Sequence, residues 1–372
     1  MRIVVYTDYV YKREDGVVYA QRAFALFLVR LARHVDRLVV TGRLDPEPGR
    51  SYYPLPPDIE FVPLPHYPSL AQPLRALPAM ARSLTVFWRA LRGVDRAWLL
   101  GPYPLSFAFV ALAALRRRRV FLGVRQDWPV YVASRHPGSR MLIAVAKVME
   151  GGYRVLARRY PIVVVGPQLA RNYEGTKAVL PVTVSMVDEE DIAPPRTTPP
   201  GRTILSVGRI ETEKNPLLLA DILAGLGDGW RLLVAGEGPM REELEQRLRE
   251  LGVADRAEML GYVPIDAGLH DLYRRADVFL HVSWTEGLPQ VIFEAFAARL
   301  PVVATAVGGV PDAVGDAGLL VPPGDAGAAV DALNRIESDK ELRERLAERG
   351  VERVRAHTTD AECARIAEFL AT

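Results

Sequence analysis

The chain has a single cysteine, Cys363, among its 372 residues. One thiol excludes an intramolecular disulfide and any zinc site built on cysteines, and it points to a reducing cytoplasm. Long apolar runs are also missing. The longest, Pro104–Leu115, has 12 residues, and Arg116–Arg119 closes it. A bilayer span needs about 20, so this run reads as a buried helix. At the N-terminus, the short apolar stretch after Met1 reads as a buried first strand rather than a targeting peptide. Hydrophobic residues make up 49% and charged residues 25%, which excludes a mainly disordered, collagenous or coiled-coil chain. A prior of about 150 residues per domain gives two or three domains.

The net charge of +2 hides an asymmetry. Residues 1–184 carry 27 Lys/Arg against 12 Asp/Glu, a balance of +15; the remainder carries 20 against 33, a balance of −13. Such halves face different partners. The most basic stretches are Arg116–Arg119 and Leu74–Arg92. In the latter, Arg75, Arg82, Arg89 and Arg92 interleave with Leu77, Met80, Leu84, Phe87, Trp88 and Leu91 at helical spacing. This pattern suits a bilayer interface, so the first half is expected to meet an anionic acceptor or make peripheral contact with an anionic membrane. A helix packed on a sheet gives the same pattern. The basic residues fall in no nucleic-acid module, so no nucleic-acid partner is expected.

Short apolar strands alternate with helices twice along the chain. In the first half, strands read at Ile3–Tyr6, Arg37–Val40, Ile59–Pro63, Ala97–Leu100, Val120–Val124 and Ile162–Val165, with a helix over Tyr19–Arg33. The segment Ser185–Gly201 has four prolines and an acidic run from Asp188 to Asp191, and it reads as an interdomain linker with a solvated turn. A second series follows, with strands at Thr203–Val207, Trp230–Ala235, Ala257–Gly261, Val278–Val282, Pro301–Thr305 and Gly318–Val321. Near-continuous apolar strands between helices predict parallel sheets covered on both faces. In such sheets ligands sit beyond the carboxyl ends of the strands.

Four segments of the second half place special residues just after a strand. Gly208 permits a tight turn, and Arg209 and Lys214 lie in a loop that enters a helix, where two cations suit a pyrophosphate. Solvated loop charges would give the same spacing. Gly236-Glu-Gly238-Pro239 resembles half of a dinucleotide fingerprint, but Arg241 stands where a third glycine belongs, so that reading is weak. Tyr262 and Val263 follow a strand end whose backbone could meet a flat base. Most informative is Ser283–Ala295, SWTEGLPQVIFEA. Glu286 precedes the helix that Pro289 opens, and Glu294 lies within it. The N–H groups near Leu288, Gln290 and Val291 are available to a phosphate. On an otherwise apolar helix Glu294 needs a partner, either a neighbouring arginine or ligand hydroxyls.

Taken together, GRIETEKNP, GEGPMREEL, DLYRRADVFLHVSWTEGLPQVIFEAFA and PVVATAVGGVPDAV resemble the retaining GT-B glycosyltransferases of family 4, the glycosyl transferases group 1. The resemblance covers residues 203–320 strongly and the whole chain in architecture. It implies an α/β GT-B fold with two Rossmann-like domains whose parallel sheets face a central cleft. Residues 1–184 would form the acceptor side, with the helix over 357–372 packing back on it. Residues 185–201 would be the linker and 202–356 the donor domain. It also implies a hexosyltransferase that moves a sugar from a nucleotide-sugar donor to an acceptor hydroxyl, lipid-linked or otherwise anionic. No metal or cofactor would be needed, which agrees with the lack of Asp-x-Asp. Arg209 and Lys214 would bind the donor pyrophosphate and Glu294 the ribose. Glu286 would contact the transferred sugar, with Gly287, Leu288, Pro289 and Gln290 around it and Tyr262 and Val263 by the base.

Several positions depart from the family pattern. The paired glycine after the first strand is represented by Gly16 alone. Gln126 stands where many members have histidine, followed by Asp127, which is either a hydroxyl contact or a cap. Arg299 replaces a usual glycine and Asp312 a usual glutamate. An amide does not titrate near neutral pH, so Gln126 is no general base. A retaining transferase can instead let the departing phosphate take the acceptor proton. His281 reads as a satisfied near-core histidine. Trp128 and Trp284 are equally suited to sugar stacking or to packing. Two other functions fit the same resemblance: a sugar-nucleotide epimerase, and a nucleotide-sugar-binding protein without catalysis.

Overall fold

The computed structural model describes residues 1–67, 73–136, 138–195, 201–264 and 268–372. They form two compact units, 1–184 with 359–372 and 185–358.

In the first unit nine strands make one sheet: β1 (Arg2–Glu14), β2 (Val17–Ala20), β3 (Arg37–Leu44), β4 (Tyr53–Pro54), β5 (Glu60–Leu64), β6 (Arg96–Gly101), β7 (Arg119–Val124), β8 (Ile162–Val165) and β9 (Val179–Val182). Seven run parallel in the order β5-β3-β1-β6-β7-β8-β9. Ile3 to Tyr6, at the centre, are fully buried, as a strand covered on both faces requires. Beyond Tyr6 the register shifts, and β1 continues into an antiparallel hairpin with β2.

That hairpin corrects two expectations. The helix read over Tyr19–Arg33 is confined to Phe24–Leu31, and Tyr19 lies in β2. Gly16 is not in a loop between the first strand and the first helix; it is the second residue of the two-residue turn joining β1 to β2. Asp15 and Gly16 have φ of 51° and 80°, the left-handed pair that a tight hairpin needs and that Asp-Gly favours.

Over Leu74–Arg92 the arginines stay outside: Arg75, Arg82, Arg89 and Arg92 are exposed, as are Leu74 and Leu77, while much of the apolar face turns inward. Helix Pro73–Ala90 buries Ala76, Ser83 and Phe87, and Phe87 stacks on Phe109 of the apolar helix Pro104–Leu115 with ring centroids 3.9 Å apart. Arg116 lies 3.9 Å over the Trp88 ring, and Arg119 donates to the Thr372 carbonyl. Much of the run Arg116–Arg119 is thus engaged within its own unit. The helix Thr359–Ala371 belongs to the first unit. It buries Cys363, Ile366 and Leu370 completely, and its Cys363 thiol reaches the Phe27 carbonyl at 3.7 Å.

Six parallel strands build the second unit: β10 (Thr203–Val207), β11 (Arg231–Ala235), β12 (Ala257–Gly261), β13 (Val278–His281), β14 (Val302–Thr305) and β15 (Gly318–Val321). Their order is β12-β11-β10-β13-β14-β15, the doubly wound order whose direction reverses between β10 and β13. The segment read as an interdomain linker belongs to this unit from Ser185 on. Val187 is buried in the core of this unit, and the Ala193 N–H donates to Ala297 at 2.8 Å. The end of that segment, 196–200, lies outside the described residues.

Replacing Gly16 with alanine forces a side chain into the left-handed region and should cost about 1 kcal/mol. Denaturant unfolding of Gly16→Ala measures this; an unchanged midpoint would mean that the turn does not hold the hairpin.

Candidate active site

The second unit collects its chemistry at the carboxyl ends of β10 and β13, the neighbouring strands at which the sheet order reverses. From β10 the chain passes through Gly208 and Arg209 into a short turn, Thr212–Lys214. From β13 it passes through Ser283 to Glu286 and Gly287, and then into the helix Gln290–Ala297, with Pro289 at its N-cap. The Trp284 N–H donates to the Glu213 carbonyl at 2.9 Å and ties the two loops together.

Glu286 is the centre of this arrangement. Lys214 Nζ lies 2.5 Å from its Oε1, His281 Nε2 2.9 Å and Ser283 Oγ 3.0 Å. All three partners meet the same oxygen. Its side chain is only 9% exposed. Burial works against its charge, but Lys214 and His281 more than offset burial and hold the carboxyl well below the usual range. The near-core histidine is thus satisfied, and by the glutamate of the site itself. Thr305, at the end of β14, fixes Ser283 twice: it accepts from the Ser283 N–H and donates to the Ser283 carbonyl, both at 2.9 Å.

Arg209 pairs with Glu211 and Glu213, each at 2.6 Å. Both cations expected to meet phosphate are therefore held by carboxylates. Among the described residues no arginine is seen paired with Glu294. Tyr273 Oη donates to it at 2.7 Å, and burial pushes its carboxyl up, against the hydrogen bond from Tyr273. Tyr262 and Val263 follow β12, and the Tyr262 N–H reaches Glu237 at 3.5 Å. Trp284 is exposed, with its ring over Gly324, where a Cβ would meet it at 2.6 Å.

Two glycine pairs hold these loops. A Cβ on Gly236 would meet the Gly208 carbonyl oxygen at 1.8 Å, and one on Gly238 the Ile210 oxygen at 2.2 Å. On the other side, a Cβ on Gly308 would meet the Glu286 oxygen at 1.9 Å, and one on Gly309 the Gly287 oxygen at 1.9 Å. The half-fingerprint at Gly236–Gly238 is therefore a brace, which lets its backbone press on the Arg209 loop as Gly308–Gly309 presses on the Glu286 loop. At Arg299, φ of 57° marks the left-handed C-terminal position where glycine is usual. Its guanidinium bonds the Ala193 carbonyl at 2.8 Å and Glu348 at 2.6 Å.

Gly16, Gln126 and Asp127 belong to the first unit. Asp127 caps the helix Trp128–Arg135 by accepting from the Val130 N–H at 3.1 Å, and it accepts from Asn172 at 3.2 Å. Gln126 precedes it, half-buried. Trp128 packs edge-on to Tyr103 and against Tyr131.

Sequence reasoning missed Tyr273 and Thr305 as supports. It also missed Asp8, within the register shift in β1, which accepts from Tyr6 at 2.9 Å and Tyr67 at 3.0 Å, with Arg43 at 3.4 Å. The repeated glycine pairs after strands were the available signal for the bracing. Little local marks Asp8, because only Tyr6 is near it in sequence, while Tyr67 and Arg43 come from a loop and another strand.

Residues 187–353 match the model of a family described as glycosyl transferases group 1. The matched stretch, less than half of the chain, is similar to that family. A sulfoquinovosyl transferase of Arabidopsis thaliana is 34% identical over 146 residues, 38% of this chain and 28% of that protein. A phosphatidyl-myo-inositol mannosyltransferase of Mycobacterium leprae is 31% identical over 265 residues, 68% of this chain and 63% of that one. The chain thus spans less than two thirds of each relative's length. The sucrose-phosphate synthase of Thermosynechococcus elongatus superposes with a TM-score of 0.77 at 20% identity, covering all of this chain and 98% of that one. The fold is GT-B.

Two outcomes test the geometry. Gly236→Ala and Gly308→Ala meet backbone that has nowhere to go, so each should cost at least about 2 kcal/mol. Gly227→Ala, with open space around it, should stay within about 0.5 kcal/mol. The second concerns pH. Because the Glu286 carboxyl is depressed in the fold, its contribution is complete above the ordinary glutamate value of about 4.3 and fades as pH falls below it. In urea titrations the stability gap between the parent and Glu286→Gln should be full at neutral pH and should narrow on acidification.

Proposed function

We propose that the protein is a retaining glycosyltransferase that moves a hexosyl unit from a nucleotide-sugar to an acceptor hydroxyl. The observation that carries this reading is the cluster at the β10–β13 switch point: Glu286 kept ionised by Lys214 and His281, with Arg209 in the same loop as Lys214 and the buried Glu294 on the helix that follows Glu286. An incoming diphosphate exchanges carboxylate partners for phosphate oxygens on Arg209 and Lys214, next to the N-terminus of the helix Gln290–Ala297. Release of Lys214 from Glu286 then leaves that carboxylate to hydrogen-bond the transferred sugar. Glu294, already oriented by Tyr273, accepts from the ribose hydroxyls, and the backbone at Tyr262–Val263 borders the base.

The chemical step needs no general base from the chain. As the glycosidic bond to the diphosphate breaks, negative charge grows on the leaving oxygen, where Arg209 and Lys214 stabilise it. That oxygen takes the proton of the acceptor hydroxyl attacking on the same face, so the anomeric configuration is retained. Gln126 serves only as a hydrogen-bonding amide, and the two side-chain cations supply the charge that a metal supplies elsewhere. The acceptor class we infer is lipid-linked or otherwise anionic. The excess of +15 over residues 1–184 supports it, as does the relative named for phosphatidyl-myo-inositol.

The test is a thermal-shift panel of nucleotides and nucleotide-sugars, followed by transfer assays with the stabilising donor. A tight donor at a hundredfold excess over Kd adds about 2.7 kcal/mol; no shift with any nucleotide-sugar would sink the reading. Glu294→Ala should weaken donor binding by about 1.5–3 kcal/mol. Glu294→Gln should raise the melting temperature at neutral pH, because it removes a carboxyl whose burial disfavours its charge there. Arg209→Ala and Lys214→Ala should lower kcat/KM far more than the melting temperature, and activity should survive EDTA. Rescue of an EDTA-dead enzyme by magnesium would remove the metal-free mechanism.

A further inference from the structure

We propose that the outer face of helix Arg140–Ala157 seats the first unit on an anionic lipid surface. On this helix Met141, Val145, Val148 and Val155 are 72, 50, 75 and 61% exposed. Steps of four, three and seven residues put them on one face. The opposite face is already used, since Ala146, Tyr153 and Ala157 are buried in the first unit. A helix that is apolar inward and apolar outward is unusual for a surface element, because contiguous exposed apolar patches beyond a few hundred Å² mark interaction sites. No helix among the described residues is long and apolar enough to cross a membrane, so contact of this kind is made from the side.

The charge pattern selects the occupant. Arg140, Lys147, Arg154 and Arg158 follow one another along one flank of the stripe at steps of seven, seven and four, and all are exposed. The helix carries one carboxylate, Glu150, and it is buried, accepting from Tyr173 at 2.7 Å. An apolar face edged by cations, with no exposed acid on the helix, complements an anionic lipid headgroup layer over hydrocarbon. A second copy of the chain fits less well, because pairing two such helices brings cations together without an exposed carboxylate from either helix. The segment Leu74–Arg92 also exposes its four arginines, but Leu74 and Leu77, both in its first turns, are its large apolar residues most open to solvent, so its apolar stripe is shorter. The surface stands on exposure and charge alone; only the corollary that the acceptor is presented from the lipid layer rests on the transferase reading.

Co-sedimentation of the full chain with vesicles tests it. The chain should bind vesicles of phosphatidylcholine mixed with phosphatidylglycerol, not phosphatidylcholine alone, and high salt should release it. Lys147→Gln and Arg158→Gln should each weaken partitioning about fivefold. Val148→Glu should weaken it by at least about tenfold, because it puts a charge into the apolar stripe. Arg82→Gln and Arg89→Gln on the other helix should change little. Circular dichroism and the nucleotide-sugar thermal shift report whether each variant is folded and whether donor binding persists, so loss of vesicle binding is read separately from failure of the transferase reading. Absence of binding to anionic vesicles overturns the proposal, as does binding that Val148→Glu leaves intact. A dimer in light scattering that Val148→Glu dissolves, without vesicle binding, would assign the face to a second copy.

Discussion

Backbone touching backbone is the constraint on which the site of this protein depends. Four carbonyl oxygens, of Gly208, Ile210, Glu286 and Gly287, lie where the Cβ of any other residue at 236, 238, 308 or 309 would be. The loops after β10 and β13 are therefore clamped from the outside by the loops after β11 and β14. Side chains could have filled that space, but they bring rotamers, whereas peptide planes in contact have few alternatives. The ion pairs of Glu286 and Arg209 are formed on loops fixed in this way, so the backbone that carries these charges keeps its place even where their side-chain partners exchange.

The second unit was the more legible half because its chemistry is local. Arg209 and Lys214 share a loop, and Glu286 and Glu294 share a loop and its helix, so sequence spacing carries spatial meaning. The strands of its sheet are short apolar runs bounded by glycine and proline, and their boundaries read to within a residue or two. What escaped was what lies across the sheet: Tyr273 on Glu294, and Thr305 holding Ser283, each brought from another element. The glycine pairs were visible as letters but not as contacts, and a dinucleotide fingerprint was the nearest available meaning for one of them.

The first unit was harder to read for a different reason. Its first strand does not end where its buried residues end, and the Asp15-Gly16 turn folds the polar continuation into a hairpin that hydropathy alone does not display. Its charge misleads in a similar way. Arg125 stands over the Phe24 ring at 4.2 Å, where burial pushes its guanidinium down to about 10, and Arg116 lies on Trp88. Several of the arginines that make this half basic are thus spent on its own aromatic rings, and a count of charges overstates the field that reaches solvent.

The chain crosses from the first unit to the second after Val184 and returns after Thr358. On a ribosome this return has an order in time. The second unit is synthesised without interruption and can close its core as soon as it has emerged. The first unit, begun earlier, lacks the helix that covers Phe27 and Phe121 until residues 359–372 appear. The half made first is therefore completed last, and its apolar flank stays open throughout the synthesis of its neighbour.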